Sequence, residues 1–223
     1  MSVGTGTPPG AEPSFLVVMD VDSTLIENEV IELLADAAGS LAAVADVTER
    51  AMAGELDFED SLRERVATLA GLPVSAFDEV ARRVRLTPGA RRLVEVLHDT
   101  GSRVGVVSGG FHEVLDPLAE ELRLDFWRAN RLEVADGSLT GGLVGPVIDA
   151  VGKQHALEEW AALSGVPRER VVAVGDGAND LLMMDAAGLS VAFNAKPRVR
   201  SIADVIMDVC DLSQVLPLLG LRG

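Results

Sequence analysis

Hydrophobic positions come in short runs that alternate with longer stretches of helical periodicity. Apolar, mostly β-branched runs occupy residues 15–20, 103–108, 170–176 and 189–193, and a weaker run covers 204–207. Short apolar runs separated by amphipathic helical stretches are typical of a parallel sheet covered by helices. The pattern therefore predicts an α/β fold with a Rossmann-like core, whose site lies at the carboxyl ends of the strands.

Residues 27–86 interrupt this alternation because they contain no convincing strand. Four successive helices are predicted there instead. The third begins at an Asp57 N-cap, and the fourth begins at a Ser75 N-cap that forms an approximate capping box with Asp78. This stretch is expected to be an all-helical insertion in the sheet domain.

The pattern indicates a division of the chain into three parts. We expect a disordered leader at 1–14, an α/β core formed by 15–26 and 87–223, and a four-helix cap domain formed by 27–86. The leader lacks the basic and apolar regions of a signal peptide. Within the core, residues 131–144 predict a hairpin that turns at Asp136–Gly137.

Composition narrows the possible partners. The chain has 223 residues, is 48% hydrophobic and carries a formal net charge of −16, which disfavours nonspecific binding to nucleic acid or to anionic membranes. No apolar stretch approaches the ~18–20 residues of a membrane span. The single cysteine, Cys210, excludes an intrachain disulfide and is expected to be a small buried residue. We therefore expect a cytoplasmic protein that binds neither nucleic acid nor a membrane.

Aspartates directly follow two of the predicted strands. Asp20 and Asp22 follow the first strand and Asp176 ends the third. A strand extended through Asp22 would bring two carboxylates to one side, where they repel unless a cation or a shared proton intervenes. Such an oxygen-rich cluster suits Mg²⁺, although each aspartate alone could equally cap a helix or turn. With a metal present, Asp20 is a candidate nucleophile toward phosphorus and Asp22 a candidate acid and base.

Other polar residues at strand ends could bind an anion. Ser108 offers a hydroxyl, and Gly109 and Gly110 allow backbone amides at the start of the next helix to approach a phosphate. Lys153 opens a predicted helix, where a cation is unfavourable against the helix dipole unless it meets an anion; it could also be an exposed lysine. Asn179 follows in the Gly-rich segment after the third strand.

Two charged residues of the helical insertion have more than one interpretation. Arg65 falls within the apolar stripe of the third helix, close to the angular position of Phe58, so its guanidinium either extends to solvent along its stem or awaits a carboxylate. Glu29 could serve a helix N-terminus or bind a substrate ammonium.

These motifs resemble those of the phosphoserine phosphatases in the haloacid dehalogenase (HAD) superfamily. "DVDSTLIENE" resembles the first motif, "TERAMAGELDFEDSLRERV" the cap-domain signature, "SGGF" the second motif, Lys153 the third, and "GDGANDLLMMDAAG" with "NAKP" the last. The resemblance covers nearly the whole chain after residue 14. The cap signature makes it more specific than the superfamily motifs, which alone indicate only phosphoryl transfer.

The resemblance implies Mg²⁺-dependent hydrolysis of O-phospho-L-serine to L-serine and phosphate through an aspartyl-phosphate, the last step of serine biosynthesis. It implies that Asp20 is the nucleophile and Asp22 the acid and base. It further implies that Mg²⁺ is held by the side chains of Asp20 and Asp176 and the backbone carbonyl of Asp22. The phosphate is implied to bind Ser108, Gly109, Gly110 and Lys153, with support from Asn179 and Asp180. In the cap, Arg65 is implied to bind the substrate carboxylate and Glu29 its ammonium, while Met52 and Phe58 close over the substrate.

Two other functions stay open at this point. A phosphotransferase could pass the phosphoryl group from phosphoserine to an alcohol such as homoserine. A receiver-type signalling domain also combines an acidic cluster, a phosphorylated aspartate and a lysine, but it needs neither Asp22 nor a 60-residue cap. The protein is expected to be a monomer or a homodimer. Many relatives carry an N-terminal regulatory extension that binds amino acids, for which the short leader leaves no room, so the resemblance does not extend to feedback inhibition through such a domain.

Overall fold

The computed structural model describes residues 14–222, which form one sheet covered by helices; the predicted leader lies outside the described residues except for Ser14. Its strands are β1 (Leu16–Met19), β2 (Arg103–Phe111), β3 (Phe126–Ala135), β4 (Ser138–Val144), β5 (Val171–Gly175), β6 (Leu189–Phe193) and β7 (Val205–Met207). The sheet order is β4-β3-β2-β1-β5-β6-β7, and every neighbouring pair is parallel except β3 and β4. The predicted α/β class is confirmed.

Along the chain, helices connect the parallel strands, because a parallel pair needs a crossover connection. Their bounds are α1 (Val30–Ala38), α2 (Leu41–Met52), α3 (Phe58–Ala67), α4 (Ala76–Arg83), α5 (Ala90–Asp99), α6 (His112–Leu122), α7 (Ala150–Ser164), α8 (Leu181–Ala186), α9 (Pro197–Arg200) and α10 (Val215–Leu218). The first four follow one another without an intervening strand, in the stretch where four helices are predicted. The division of the chain into a core and a cap domain stays a prediction.

β1 lies at the centre of the sheet and is buried on both faces. Leu16 and Val18 pack in the apolar cluster beneath α7 and α8, and Val17 and Met19 pack in the larger cluster on the opposite face. Such complete burial explains why the strand is a continuous apolar run. Because β1 pairs in parallel with both β2 and β5, the residues that follow these three strands meet at one edge of the sheet.

Two strands are longer than the sequence pattern predicts. β3 starts at Phe126 and pairs first with β2 and then with β4, with the expected turn at Asp136–Gly137, both at positive φ. β2 continues to Phe111, so Gly109 and Gly110 are extended strand residues and do not lie at the start of α6. The register with β3 shifts between Val107 and Phe111, which is how two adjacent glycines fit into the strand.

The two chain segments that lead into and out of the helical insertion pair with each other. Ile26 and Leu86 form an antiparallel bridge, and the Glu27 N–H donates to the carbonyl oxygen of Arg85 at 2.8 Å. The Thr87 hydroxyl donates to the Thr24 carbonyl oxygen at 2.6 Å. Thr24 belongs to the turn that carries Asp22, and Ile26 directly follows it. The base of the insertion is therefore joined to that turn.

The prediction that Cys210 is buried is wrong. Cys210 is exposed, because it follows the edge strand β7 in a bend where Val209 is also exposed. A small apolar residue type says little about burial at an edge of the sheet. Across residues 14–222, none of the helices has the length and apolar character that crossing a membrane would require.

The two predicted N-caps of the insertion behave differently. Asp57 caps α3, and its carboxylate accepts from the Asp60 N–H at 2.8 Å. Ser75 precedes α4 but forms no side-chain capping bond, so the predicted capping box with Asp78 is wrong. Ser75 has helical dihedral angles (φ −62°, ψ −18°), whereas an N-cap side chain reaches its amide from an extended backbone.

We therefore expect different stability effects from matched truncations at these two caps. Asp57→Ala should lower the free energy of unfolding by about 1 kcal/mol, because it removes the capping acceptor of α3. Ser75→Ala should change it by less than about 0.5 kcal/mol, since no capping bond is lost. Urea denaturation of both variants checks this, and equal losses would contradict the assignment.

Candidate active site

One cavity of about 410 Å³ lies between the carboxyl ends of the central strands and the helical insertion. Ten of the predicted site residues line it. Those from the sheet side are Asp20, Asp22, Gly109, Gly110, Asp176 and Asn179, and those from the insertion are Glu29, Met52, Phe58 and Arg65. The three remaining residues, Ser108, Lys153 and Asp180, are buried and contact lining residues from behind.

The two aspartates after β1 are brought together by a turn and not by an extended strand. β1 ends at Met19, and the chain enters an irregular turn, Val21–Leu25, in which Asp22 is extended and Ser23 has φ +56°. The expected continuation of the strand through Asp22 is therefore wrong. The turn gives each of the two carboxylates its own hydrogen-bond donors.

Asp20 and Asp22 are held by different parts of the chain. Asp20 Oδ1 accepts from the Val21 N–H at 2.7 Å. Asp22 Oδ1 accepts from the Val30 N–H at 2.9 Å, in the first turn of α1, and Asp22 Oδ2 accepts from the Ser108 hydroxyl at 3.3 Å. Asp22 is thus fixed between the helical insertion and β2.

Lys153 is the buried cation of the site. Its ammonium lies 2.6 Å from Asp20 Oδ1 and 2.8 Å from Asp180 Oδ1, and its side chain has no exposed surface. The alternative of an exposed lysine is wrong, and α7 begins three residues earlier than predicted, at an Asp149 N-cap. Burial alone would lower the pKa of Lys153, but attraction to Asp180 and Asp20 outweighs it and raises the pKa above its usual value.

The carboxylates of this site outnumber its buried cation. Burial raises the pKa of Asp20 well above its usual value, and repulsion from Asp180 adds to the effect while Lys153 opposes it. Burial and repulsion from Glu29 raise the pKa of Asp22 to about 7, and burial and repulsion from Asp180 raise the pKa of Asp176 to about 6. The site therefore holds excess negative charge that a bound cation would neutralise.

The donor set fits a hard divalent cation. Oxygens of Asp20, Asp176 and Asp180 lie within 4.8 Å of one another. Both Asp180 oxygens already accept hydrogen bonds, from Lys153 Nζ and from the Gly177 N–H. Within residues 14–222, Asp20 Oδ2 accepts none, and Asp176 Oδ2 has only Lys196 Nζ at 3.9 Å. Asp20 and Asp176 therefore have carboxylate oxygens available for a metal.

A chain of hydrogen bonds runs along the end of β2. The Gly110 N–H donates to Ser108 Oγ at 2.7 Å, and the Ser108 hydroxyl donates to Asp22 Oδ2. A methyl group on Gly110 would lie 2.8 Å from Asp22 Oδ2, and one on Gly109 would lie 2.8 Å from the ring of Phe58. Both glycines are therefore needed for close approach, one to the carboxylate and one to the insertion.

Arg65 and Glu29 line the insertion side of the cavity. The Arg65 Nε–H donates to the Ser61 carbonyl oxygen at 3.2 Å, and in the part of the chain that the structure describes no carboxylate oxygen lies within 4.0 Å of its guanidinium. Burial lowers the pKa of Arg65, while the charges of Glu29 and Asp22 oppose the change. Arg65 thus offers an unpaired, partly desolvated cation to the cavity.

Glu29 does not cap α1 with its side chain. Glu29 occupies the N-cap position, but its Oε1 accepts from the Ser23 hydroxyl at 2.7 Å, and Asp22 provides the acceptor for the helix instead. Glu29 therefore lines the cavity and does not cap the helix with its side chain.

The two predicted closing residues differ in burial. Phe58 lies partly buried against Gly109, whereas Met52 is 85% exposed at the rim of the cavity.

Two residues for which the sequence predicted no role contact Asp176. The Thr24 hydroxyl donates to Asp176 Oδ1 at 3.5 Å, and the Lys196 N–H donates to the Asp176 carbonyl oxygen at 3.0 Å. Two sequence signals could have indicated these residues. Thr24 stands two residues after Asp22, and Lys196 lies in the "NAKP" motif. Only the fold shows that both residues reach the end of β5.

Comparison with known proteins agrees with the fold. A family model described as haloacid dehalogenase-like hydrolase matches residues 17–185. The chain is 56% identical over 209 residues to a phosphoserine phosphatase from Mycobacterium tuberculosis, covering 93% of this chain and 51% of that protein. It is 58% identical over 206 residues to one from Streptomyces coelicolor, covering 92% and 50%. The chain thus spans about half the length of these relatives.

A third relative matches along almost its whole length. It is a phosphoserine phosphatase from Streptococcus thermophilus, 50% identical over 213 residues, covering 96% of this chain and 99% of that protein. Among solved structures, a phospho-aspartyl intermediate analogue of phosphoserine phosphatase superposes with a TM-score of 0.87 at 41% identity, and a substrate-bound complex with 0.88 at 40%. Each superposition covers 95% of this chain and 100% of the other. The chain belongs to the haloacid dehalogenase-like hydrolase family.

Proposed function

We propose that this protein hydrolyses O-phospho-L-serine to L-serine and phosphate, the last step of serine biosynthesis. The observation that carries the proposal is the distribution of charge in the cavity. A buried lysine pairs with Asp20 at one wall, and the unpaired guanidinium of Arg65 stands near the carboxylate of Glu29 at the other. Phosphoserine carries a phosphate that suits the wall with Lys153 once a cation offsets the carboxylates there, and a carboxylate and an ammonium that complement Arg65 and Glu29.

Asp20 is the nucleophile in this proposal. Asp20 lines the cavity, where Lys153 and the Val21 amide hold its Oδ1 and its Oδ2 accepts no hydrogen bond from the described residues. Attack of a carboxylate oxygen of Asp20 on phosphorus forms an aspartyl-phosphate and breaks the bond to the serine oxygen. Lys153, Ser108 and the Gly110 amide are positive or hydrogen-bond-donating groups close to where the negative charge develops.

Asp22 supplies and removes the protons. A pKa near 7 lets this carboxyl be populated both as an acid and as a base around neutral pH. As the acid it protonates the departing serine oxygen, and as the resulting carboxylate it takes a proton from the water that attacks the aspartyl-phosphate. Its hydrogen bonds from Val30 and Ser108 keep it beside Asp20 in both steps.

The donor set supports Mg²⁺ as the cation of this site. The side chains of Asp20 and Asp176, with the Asp22 carbonyl, would hold it, because Mg²⁺ prefers oxygen ligands and retains water and substrate oxygens in its shell. When bound, Mg²⁺ offsets the negative charge of the carboxylates and of the incoming phosphate. Asn179 and Asp180 support the phosphate pocket, Asp180 by holding Lys153 and the Gly177 amide.

An enzyme of amino-acid biosynthesis acts on a cytoplasmic metabolite, and we propose that location for this chain. Its cap and core are the two bodies between which the substrate is enclosed, with Phe58 and Met52 closing over it. We propose a monomer or homodimer, since every residue named in the mechanism lies on one chain.

Replacement of the nucleophile tests the reaction directly. Asp20→Asn should reduce phosphate release from phosphoserine by roughly three orders of magnitude or more, the scale found when a covalent nucleophile is removed. Asp208→Asn, in an exposed ion pair with Arg200, serves as the control and should retain the parental rate. A phosphate-release assay with and without added homoserine measures this. Undiminished release by Asp20→Asn would overturn the mechanism, and phosphohomoserine formation would point to transfer.

Replacement of Arg65 tests substrate recognition. Arg65→Ala should raise the KM for phosphoserine by about 30-fold or more, since truncating one partner of a buried charge pair costs about 2 kcal/mol or more. The KM for an aryl phosphate, which has no carboxylate, should change little. Arg63→Ala is the matched control, because the Arg63 guanidinium is exposed and pairs with Glu59 on the same helix. Equal effects of Arg65→Ala on both substrates would contradict the assignment.

Metal binding should depend on pH through Asp176. The pKa of Asp176 is raised from its usual 3.8 to about 6. Without metal, the contribution of this group to the free energy of unfolding is therefore fully present below about pH 3.8 and is lost as the pH rises through about 6. A cation competes with the proton, so adding MgCl₂ should raise the Tm more at pH 8 than at pH 5. Asp176→Asn should remove most of this difference and Asp208→Asn should not. Equal Tm increases at both pH values would contradict the site.

A further inference from the structure

Asn130 is a buried polar side chain that the proposed mechanism does not use. It lies in β3, is 3% exposed and does not line the cavity. Its Nδ2–H donates to the Gly109 carbonyl oxygen at 2.8 Å, and its Oδ1 accepts from the Ile148 N–H at 2.8 Å. One side chain thus joins two backbone segments that flank the site.

The first contact fixes the orientation of a peptide group. The peptide between Gly109 and Gly110 is planar and trans, so its carbonyl oxygen and its N–H point in opposite directions. Because Asn130 holds the oxygen, the Gly110 N–H points toward the site, where it donates to Ser108 Oγ. Two consecutive glycines place little steric restriction on rotation of this peptide, so its orientation depends on an outside contact.

A rotated peptide would change the electrostatics of the site. It would turn the Gly109 carbonyl oxygen toward Asp22 and toward the region that receives phosphate, in place of the Gly110 N–H. A carbonyl oxygen repels an anion, whereas an amide proton stabilises it. The hydrogen bond from Gly110 to Ser108 would also be lost, and with it the support for the hydroxyl that donates to Asp22.

The second contact reaches the segment before α7. Ile148 directly precedes Asp149, whose carboxylate caps this helix, and Lys153 in its first turn contacts Asp20. Asn130 therefore links the backbone that presents the Gly110 N–H to the backbone that presents the buried ammonium.

We infer that Asn130 is a positioning residue that keeps the Gly110 N–H on the side of the site that receives the substrate phosphate, where it supports the Ser108 hydroxyl, and in register with Lys153. The inference rests on the proposed function, because it assigns the phosphate to that cavity. Asparagine suits the position because it combines one donor and one acceptor on a short side chain. Aspartate keeps the acceptor for Ile148 but has no proton for Gly109, and alanine keeps neither.

Two variants and one control test the inference. Asn130→Asp and Asn130→Ala should each lower the kcat for phosphoserine by about 10- to 100-fold, somewhat less than loss of an oxyanion donor. They should also raise the Ki of inorganic phosphate as a competitive inhibitor by at least about fivefold. Both constants are measured at a temperature well below the Tm of each variant. Ser190→Ala is the control, since it removes the two hydrogen bonds that the Ser190 hydroxyl forms with Asp204 near the amino end of β6. It should lower the Tm but leave kcat and Ki unchanged.

The outcomes separate the two proposals. If the parent protein releases no phosphate from phosphoserine, the proposed function fails. If the parent is active and the Asn130 variants match Ser190→Ala in kcat and Ki, this inference alone is overturned. If neither variant folds, amide NMR of the parent decides: phosphate with MgCl₂ should shift the Gly110 resonance, and the Asn130 side-chain NH₂ should exchange slowly. An unmoved Gly110 resonance and a rapidly exchanging NH₂ would overturn it.

Discussion

The site depends on one buried ammonium shared between two carboxylates. Lys153 has no exposed surface, and it holds Asp20 on one side and Asp180 on the other. A buried charge without partners would be strongly unfavourable, so these three side chains require one another. They come from β1, from α7 and from the segment after β5, which means that the sheet must be assembled before the charge can be accommodated. The same arrangement leaves Asp20, which lines the cavity, with one oxygen held and one without a donor among residues 14–222.

Much of this organisation follows from the sequence. The apolar runs located the central strands, and the aspartates after them located the edge of the sheet where the site lies. Arg65 was recognisable as a charged residue within the apolar stripe of α3. Among residues 14–222 its guanidinium lines the cavity without a carboxylate partner. These features were predictable because each rests on local periodicity or on the rule that parallel strands end at one edge.

The parts that could not be predicted depend on contacts between distant segments. The carboxylates of Asp20 and Asp22 come together through a turn with a positive φ at Ser23, which no periodicity reports. The glycines after Ser108 remain in the strand because β3 begins early and pairs with it. Asn130 had no sequence signal, since a lone asparagine in a strand does not reveal that it joins Gly109 to Ile148.

The helical insertion is part of the site and also supports its chemistry. The Val30 N–H, in the first turn of α1, donates to Asp22, and the paired segments around Ile26 and Leu86 join the base of the insertion to the same turn. A displacement of α1 would therefore remove a hydrogen bond that favours the carboxylate of Asp22, and the pKa of this residue would rise. The position of the helical insertion and the protonation state of Asp22 are consequently coupled through one backbone amide.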